Sequence, residues 1–62
     1  MSDKITLVII DDHTLVRTAL REVLSTDPSF VVVAEGATAK EAIELTHQHL
    51  PDILLLDLKL PG

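Results

Sequence analysis

Three aspartates stand directly after two apolar runs of the chain, and their type and spacing could support chemistry. Asp11 and Asp12 follow residues 5–10, and Asp57 follows residues 53–56. Short apolar runs of this kind predict strands that are buried on both faces of a parallel sheet. If the two strands are neighbours, which lie about 4.8 Å apart, the carboxylates converge at the carboxyl edge of the sheet. Open α/β sheets bind their ligands at that edge.

Three converging carboxylates repel one another, and a hard divalent cation relieves that repulsion. Mg²⁺ prefers oxygen ligands and typically takes only one or two carboxylates, which leaves positions for water and for a phosphate oxygen. In such a pocket the metal neutralises charge on a transferring phosphoryl group while a carboxylate acts as the nucleophile. The aspartates therefore predict a Mg²⁺ pocket that is suited to phosphoryl transfer.

Simpler interpretations of the same residues stay open. Asp12 alone is typical of an N-cap, here for a helix that begins near Thr14. Asp57 alone resembles the end of a Walker B strand, although the chain lacks the Gly-rich Lys-Ser/Thr loop that this interpretation needs. A phosphatase of the Asp-x-Asp type would carry an acid where Lys59 stands. His13 borders the predicted pocket, and a partly exposed loop residue is the simpler interpretation of it.

The elements that would position these residues alternate between strand and helix. The order strand, helix, strand, helix, strand predicts an α/β fold with a three-stranded parallel sheet and right-handed crossovers. Thr38 and Glu41 have the spacing of a capping box at the start of the second helix, and Pro51 terminates that helix. The predicted bounds are about 5–10, 30–35 and 53–57 for the strands and about 14–25 and 38–50 for the helices.

The first predicted helix is amphipathic. Leu15, Leu20 and Val23 belong to one apolar stripe, which predicts the buried face. Arg17 and Arg21 fall on the opposite face, and Arg21 is interpreted as an ordinary solvated side chain.

Composition restricts the class of protein. At 62 residues there is room for one small domain. The absence of cysteine excludes a disulfide framework and a cysteine-based zinc site. Ten acidic against five basic side chains give a net charge of −5, which argues against nucleic-acid binding by this segment. With 47% hydrophobic residues, no secretory signal and no apolar run of membrane-spanning length, we expect a folded, soluble segment without a membrane partner.

Four stretches of the chain together resemble the receiver domain of bacterial response regulators, most closely the NarL/FixJ type. They are VIIDDH (8–13), LVR (15–17), VVAEG (32–36) and PDILLLDLKLPG (51–62). An acid pair with a later acid-x-x-x-Pro-Gly at this separation is a specific combination, and the match extends over the whole chain. The resemblance implies a flavodoxin-like, doubly wound fold with strand order 2-1-3, of which this chain is the N-terminal half.

The resemblance also implies a role for each residue of the predicted pocket. Asp57 would accept a phosphoryl group from a histidine kinase and would contact the Mg²⁺ ion. Asp12 would bind Mg²⁺ directly, Asp11 would bind it through water, and Lys59 would contribute its backbone carbonyl. The module would not itself be an enzyme. It would act in the cytoplasm and control transcription through a C-terminal helix-turn-helix domain, not present here, which would hold the DNA.

Two further expectations concern the half of the fold that the resemblance places downstream. A Ser/Thr and a Lys that assist phosphorylation lie there in the family, so a truncated half-domain is expected to be weakened or inactive in phosphotransfer. Its third strand would also be an open sheet edge, and the apolar stripe of its first helix would lose part of its cover. Open edges invite association. The alternative function is therefore a structural module that self-associates through this edge or is completed by another polypeptide segment.

Overall fold

The computed structural model describes residues 3–57, which form three strands and two helices. The elements are β1 (Ile5–Ile10), α1 (Thr14–Ser25), β2 (Phe30–Gly36), α2 (Ala39–His49) and β3 (Ile53–Leu56). The ends of β2, α2 and β3 differ from the predicted bounds by one residue. For α2 the reason is that Thr38 and Leu50 are its caps rather than members of the helix. Within the described part of the chain, neither helix combines the length and apolar character needed to cross a membrane.

Strand β1 lies in the centre of a parallel sheet with the order β2-β1-β3, which confirms the predicted α/β fold and the order 2-1-3. The pairing with β2 shifts register between Leu7 and Val8. The pairing with β3 aligns Ile10 with Leu56, the last residue of each strand. The residues that follow β1 and β3 therefore leave the sheet side by side at its carboxyl edge.

The core of the molecule is built on β1, whose last four residues are all buried. Val8 and Ile10 pack with Ala42 of α2. Because successive strand residues face opposite sides of a sheet, Leu7 and Ile9 face the other side, where α1 contacts β1. The central strand thus has one helix on each face, as right-handed crossovers to strands on its two sides require.

The end of β2 comes close to α2 at Gly36. A Cβ atom at this position would lie 2.9 Å from Cβ of Glu41 and 3.0 Å from Cδ1 of Ile10, so a larger residue would push α2 away from the sheet. The carbonyl of Gly36 accepts a hydrogen bond of 3.1 Å from the N–H of Asp11. This hydrogen bond holds Asp11, the first residue of the acidic segment, at the edge of the sheet.

A polar cap defines the start of α2, as the Thr38–Glu41 spacing predicts. The backbone N–H of Glu41 donates to Oγ1 of Thr38 at 3.1 Å. The Glu41 carboxylate accepts from the backbone N–H of Ala37 at 3.0 Å, one residue earlier than in the usual capping box. At the other end, Leu50 adopts the left-handed conformation with φ of 47° directly before Pro51, which ends the helix.

The predicted apolar stripe of α1 is only partly buried. Leu15 is 84% exposed and Val23 is 67% exposed, whereas Leu20 and Leu24 are half-buried. The side chain of Arg17, which was expected on the opposite face, is only 18% exposed. Helical periodicity groups residues into faces, but it does not give the rotation of the helix against the sheet. The polar contacts of the long Arg17 side chain with the end of the sheet decide that rotation.

An open apolar groove with a volume of about 430 Å³ lies between α2 and β3. Mainly apolar side chains of both elements line it: Ala39, Ala42, Ile43, Thr46, His47, Leu54 and Leu56. Ile43 and Leu56 are exposed on this side of the sheet. The flank at β3 is therefore less covered than the centre of the sheet at β1.

Candidate functional site

Four side chains meet at the carboxyl ends of β1 and β3. Asp11, Asp12, His13 and Asp57 each offer one possible ligand atom, and these atoms all lie within 4.8 Å of one another. The backbone N–H of Asp57 donates to the carbonyl of Ile10 at 3.0 Å, which continues the β1–β3 ladder to the site. The structure thus brings together the three aspartates that the sequence pattern places at one sheet edge. Lys59 lies outside the described residues.

Asp11 is the most enclosed member of the cluster, with a side chain that is 13% exposed. Its Oδ1 atom accepts a hydrogen bond of 2.8 Å from the backbone N–H of His13, which closes a tight local turn. This backbone hydrogen bond is the main cause that lowers the pKa of Asp11 below its usual value of 3.8, and it outweighs the opposing effect of burial. Asp11 is therefore a carboxylate at neutral pH.

Asp12 does not cap α1, so the interpretation of it as an N-cap is wrong. The N-cap residue is His13, whose carbonyl accepts the first helical hydrogen bond from the N–H of Arg17 at 3.0 Å. The Asp12 carboxylate instead lies with its Oδ1 atom 2.9 Å from Nδ1 of His13. It faces the cluster and not the end of the helix, which strengthens its assignment to the site.

His13 joins the cluster through one ring nitrogen although its side chain is 67% exposed. Its Nδ1 atom lies 3.0 Å from Oδ1 of Asp11 as well as close to Asp12. The hydrogen bond with Asp11, followed by the negative charge of Asp12, raises the pKa of His13 above its usual value of 6.5. The simple interpretation as a loop residue missed this contact, although an Asp two residues before a His is the spacing of such a turn.

A second polar network supports the cluster from α1. Nη1 of Arg17 donates to the backbone carbonyl of Asp11 at 2.5 Å, and its Nε atom lies 3.5 Å from Oε1 of Glu35. Arg21 donates to the other carboxylate oxygen of Glu35. Arg21 is exposed, as the sequence predicts, and it adds this ion pair with Glu35. Glu35 is the single acid in an otherwise apolar β2, and its presence there was the signal in the sequence for this network.

The donor set fits a hard divalent cation. Three carboxylates supply the oxygen ligands that Mg²⁺ prefers, and a pocket at an open sheet edge leaves room for the water ligands that it retains. Asp12, with a side chain that is 41% exposed, offers an oxygen on the solvent side. The arrangement can therefore hold a cation beside Asp57, the one carboxylate that follows β3.

The family described as the response regulator receiver domain matches residues 7–62. The chain belongs to this family. It is 42% identical over 59 residues to the transcriptional regulatory protein DegU of Brevibacillus brevis, across 95% of this chain and 25% of DegU. It is 40% identical over 57 residues to the nitrate/nitrite response regulator protein NarL of Escherichia coli, across 92% of this chain and 26% of NarL. The resemblance seen in the sequence is thus confirmed.

Solved receiver domains share the fold. A NarL signal receiver domain from Mycobacterium tuberculosis superimposes with a TM-score of 0.92 at 42% identity, across 97% of this chain and 48% of that one. A LuxR-family two-component response regulator from an Aurantimonas species superimposes with a TM-score of 0.89 at 41% identity, across 95% of this chain and 42% of that one. The chain therefore spans about half of that NarL receiver domain and about a quarter of DegU and NarL.

Proposed function

We propose that this receiver segment is a phosphoacceptor module in which Asp57 takes a phosphoryl group from a histidine kinase. A carboxylate oxygen of Asp57 would attack the phosphorus of a phosphohistidine. The new O–P bond forms as the N–P bond breaks, and the electron pair of that bond returns to the kinase imidazole nitrogen. The observation that carries the proposal is the position of Asp57 at the end of β3, with its carboxylate in one cluster with those of the two acids after β1.

The residues around Asp57 have separate tasks in this proposal. Asp11, Asp12 and Asp57, with the backbone carbonyl of Lys59, would hold Mg²⁺. The bound ion would neutralise charge on the phosphoryl oxygens. The backbone N–H of His13 orients the Asp11 carboxylate and lowers its pKa, which favours the anionic form that binds a cation.

The wider role is also a proposal. The names of DegU, a transcriptional regulatory protein, and NarL, a nitrate/nitrite response regulator, support control of transcription. DNA binding would belong to a C-terminal helix-turn-helix domain outside this chain, because the chain carries a net charge of −5. The module would act in the cytoplasm. It would not be an enzyme, since Asp57 itself would be the group that is modified.

Phosphorylation of the chain tests the proposal directly. The chain is incubated with Mg²⁺ and acetyl phosphate and then analysed by intact mass spectrometry. We expect the mass gain of one phosphoryl group, its loss in Asp57→Asn and its retention in Asp3→Asn, which removes an exposed acid before β1, at the end of that strand away from the cluster. A folded chain that gains no mass, or an Asp57→Asn variant that still gains it, would contradict the proposal.

A second candidate function is association through β3, and the open flank of the sheet favours it. Strand β3 pairs with β1 alone among the described residues, and Ile53, Leu54 and Leu56 are all exposed. Another copy of the chain, or another polypeptide segment, would pair with this edge and cover the groove. Light scattering over a range of concentrations tests this: association predicts a mass that rises with concentration, and a constant monomer mass would exclude pairing between copies.

A further inference from the structure

The ring of His13 stands between the two carboxylates that follow β1. Its Nδ1 atom lies 3.0 Å from Oδ1 of Asp11 and 2.9 Å from Oδ1 of Asp12. One nitrogen therefore lies at hydrogen-bond distance from one oxygen of each acid. A cation bound by both acids would be coordinated by lone pairs of the same two carboxylates that contact the ring.

We propose that His13 is a positioning residue that competes with the divalent cation for Asp11 and Asp12, and that its ring turns away when the cation binds. The inference rests on the cation site of the proposed function. It does not require a charged ring, because a neutral imidazole with its hydrogen on Nδ1 makes the same contacts. His13 thus sets how readily the cluster accepts a cation.

Three features of the structure allow the ring to leave without disturbing the site. The side chain of His13 is 67% exposed, so its ring can rotate into solvent without opening the core. The hydrogen bond of 2.8 Å that orients Asp11 comes from the backbone N–H of His13 and not from its ring. The imidazole also makes no cap hydrogen bond to α1, so its removal leaves the start of that helix as it is.

Cation affinity of matched variants tests the inference. Binding of Mn²⁺ is followed by electron paramagnetic resonance, and binding of Mg²⁺ by calorimetry. In His13→Ala we expect the Kd for the cation to be about threefold to tenfold lower than in the wild type. This factor corresponds to the net free energy of roughly one hydrogen bond, which the cation no longer has to replace. His13→Gln retains a hydrogen-bond donor and is expected to lie nearer the wild type. His47→Ala, on α2 and outside the cluster, is the control and should leave the Kd unchanged.

A second measurement follows the ring itself. In the wild type, the ¹⁵N resonances of the His13 ring should shift when Mg²⁺ is added, because the ring loses its contacts with Asp11 and Asp12. Ring resonances that stay in place while Mg²⁺ binds would overturn the inference. Far-UV circular dichroism establishes that each variant retains the two helices.

The outcomes separate this inference from the proposed function. A His13→Ala variant that binds Mn²⁺ as weakly as the wild type, or more weakly, overturns the competition while the cation site stands. Binding by His13→Ala alone, with none by the wild type, supports it strongly. If neither protein binds Mn²⁺ or Mg²⁺, the cation site and the inference are both wrong.

Discussion

The carboxyl end of the sheet and the flank at β3 are organised in opposite ways. At the carboxyl end, Asp11 is oriented by the backbone N–H of His13, and its carbonyl accepts from Arg17. At the flank, Leu54 and Leu56 remain partly exposed beside an open groove. Hydrogen bonds that span a few residues position the first region, whereas burial of the second needs more surface than residues 3–57 provide. An acidic cluster can therefore be well ordered beside a sheet that is only partly covered.

The largest expected effect distinguishes the buried strand from the open flank. Ile9→Ala removes a side chain that is fully buried, and we expect it to lower the free energy of unfolding by about 2–5 kcal/mol. Leu56→Ala removes a side chain that is 46% exposed, and we expect a loss at the low end of that range or below it. Urea denaturation followed by circular dichroism measures both. Equal losses would show that the flank is as well packed as the core.

The next prediction concerns the arginines that support the carboxyl end. Arg17→Ala breaks a charged hydrogen bond to the carbonyl of Asp11 and should cost about 1–3 kcal/mol in the free energy of unfolding. Arg21→Ala removes a half-exposed partner of Glu35 and should cost about 1 kcal/mol or less. A double-mutant cycle with Glu35→Gln isolates each pair. If Arg21→Ala lowers the free energy of unfolding more than Arg17→Ala does, the hydrogen bond from Arg17 to the carbonyl of Asp11 is not the main stabilising contact of this network.

A smaller effect is expected at the cap of α2, which also lies at the carboxyl end. Thr38→Ala removes the acceptor for the backbone N–H of Glu41 and should lower the free energy of unfolding by about 1 kcal/mol. Thr38→Asn restores an acceptor and should recover most of the loss. The urea midpoint is the measurement, and an unchanged midpoint in Thr38→Ala would contradict the role of the cap.

The smallest prediction is a pH dependence at the cluster. Because the pKa of His13 is raised above 6.5 in the folded chain, its stabilising contribution is present below that pH and is lost as pH rises through the folded pKa. The Tm difference between wild type and His13→Ala should therefore shrink from mildly acidic to mildly alkaline pH.

For Asp11 the sign is reversed. Its lowered pKa gives a contribution that is present above pH 3.8 and is lost as pH falls through the folded value. Asp11→Asn should also lower the pKa of His13, as measured by NMR titration. A Tm difference that is constant with pH would show that the contacts between His13 and its two acids are absent in solution.

Local patterns predicted the elements and the meeting of the aspartates. The β-branched residues of β1 and the apolar run of β3 indicate buried parallel strands, and Asp57 follows the second run directly. The Thr38–Glu41 spacing indicated the cap of α2 in the same way. The elements and the cap were predictable because each depends on residues within one element or at its end, whereas the meeting of the aspartates also needed the strand order that the resemblance implies.

Contacts between elements were beyond such patterns. The periodicity of α1 placed Leu15 on the buried face and Arg17 on the opposite one, and the structure reverses the two. The reach of Arg17 to Asp11 depends on how the helix is rotated against the sheet, which no spacing within α1 records. The contact of His13 with its two acids is of another kind, because it joins consecutive residues, and it was missed although the Asp11–His13 spacing of the turn is a signal for it.

The amino-acid sequence by itself therefore determined the order of the elements, the parallel sheet and the family, because these follow from short apolar runs and from an acid pair at a set distance from Asp57. Only the tertiary structure decided which side of α1 meets the sheet, and that Arg17 holds the backbone of Asp11 and contacts Glu35. The physical reason is that long polar side chains choose among several partners within reach. That choice depends on how the elements are oriented against one another.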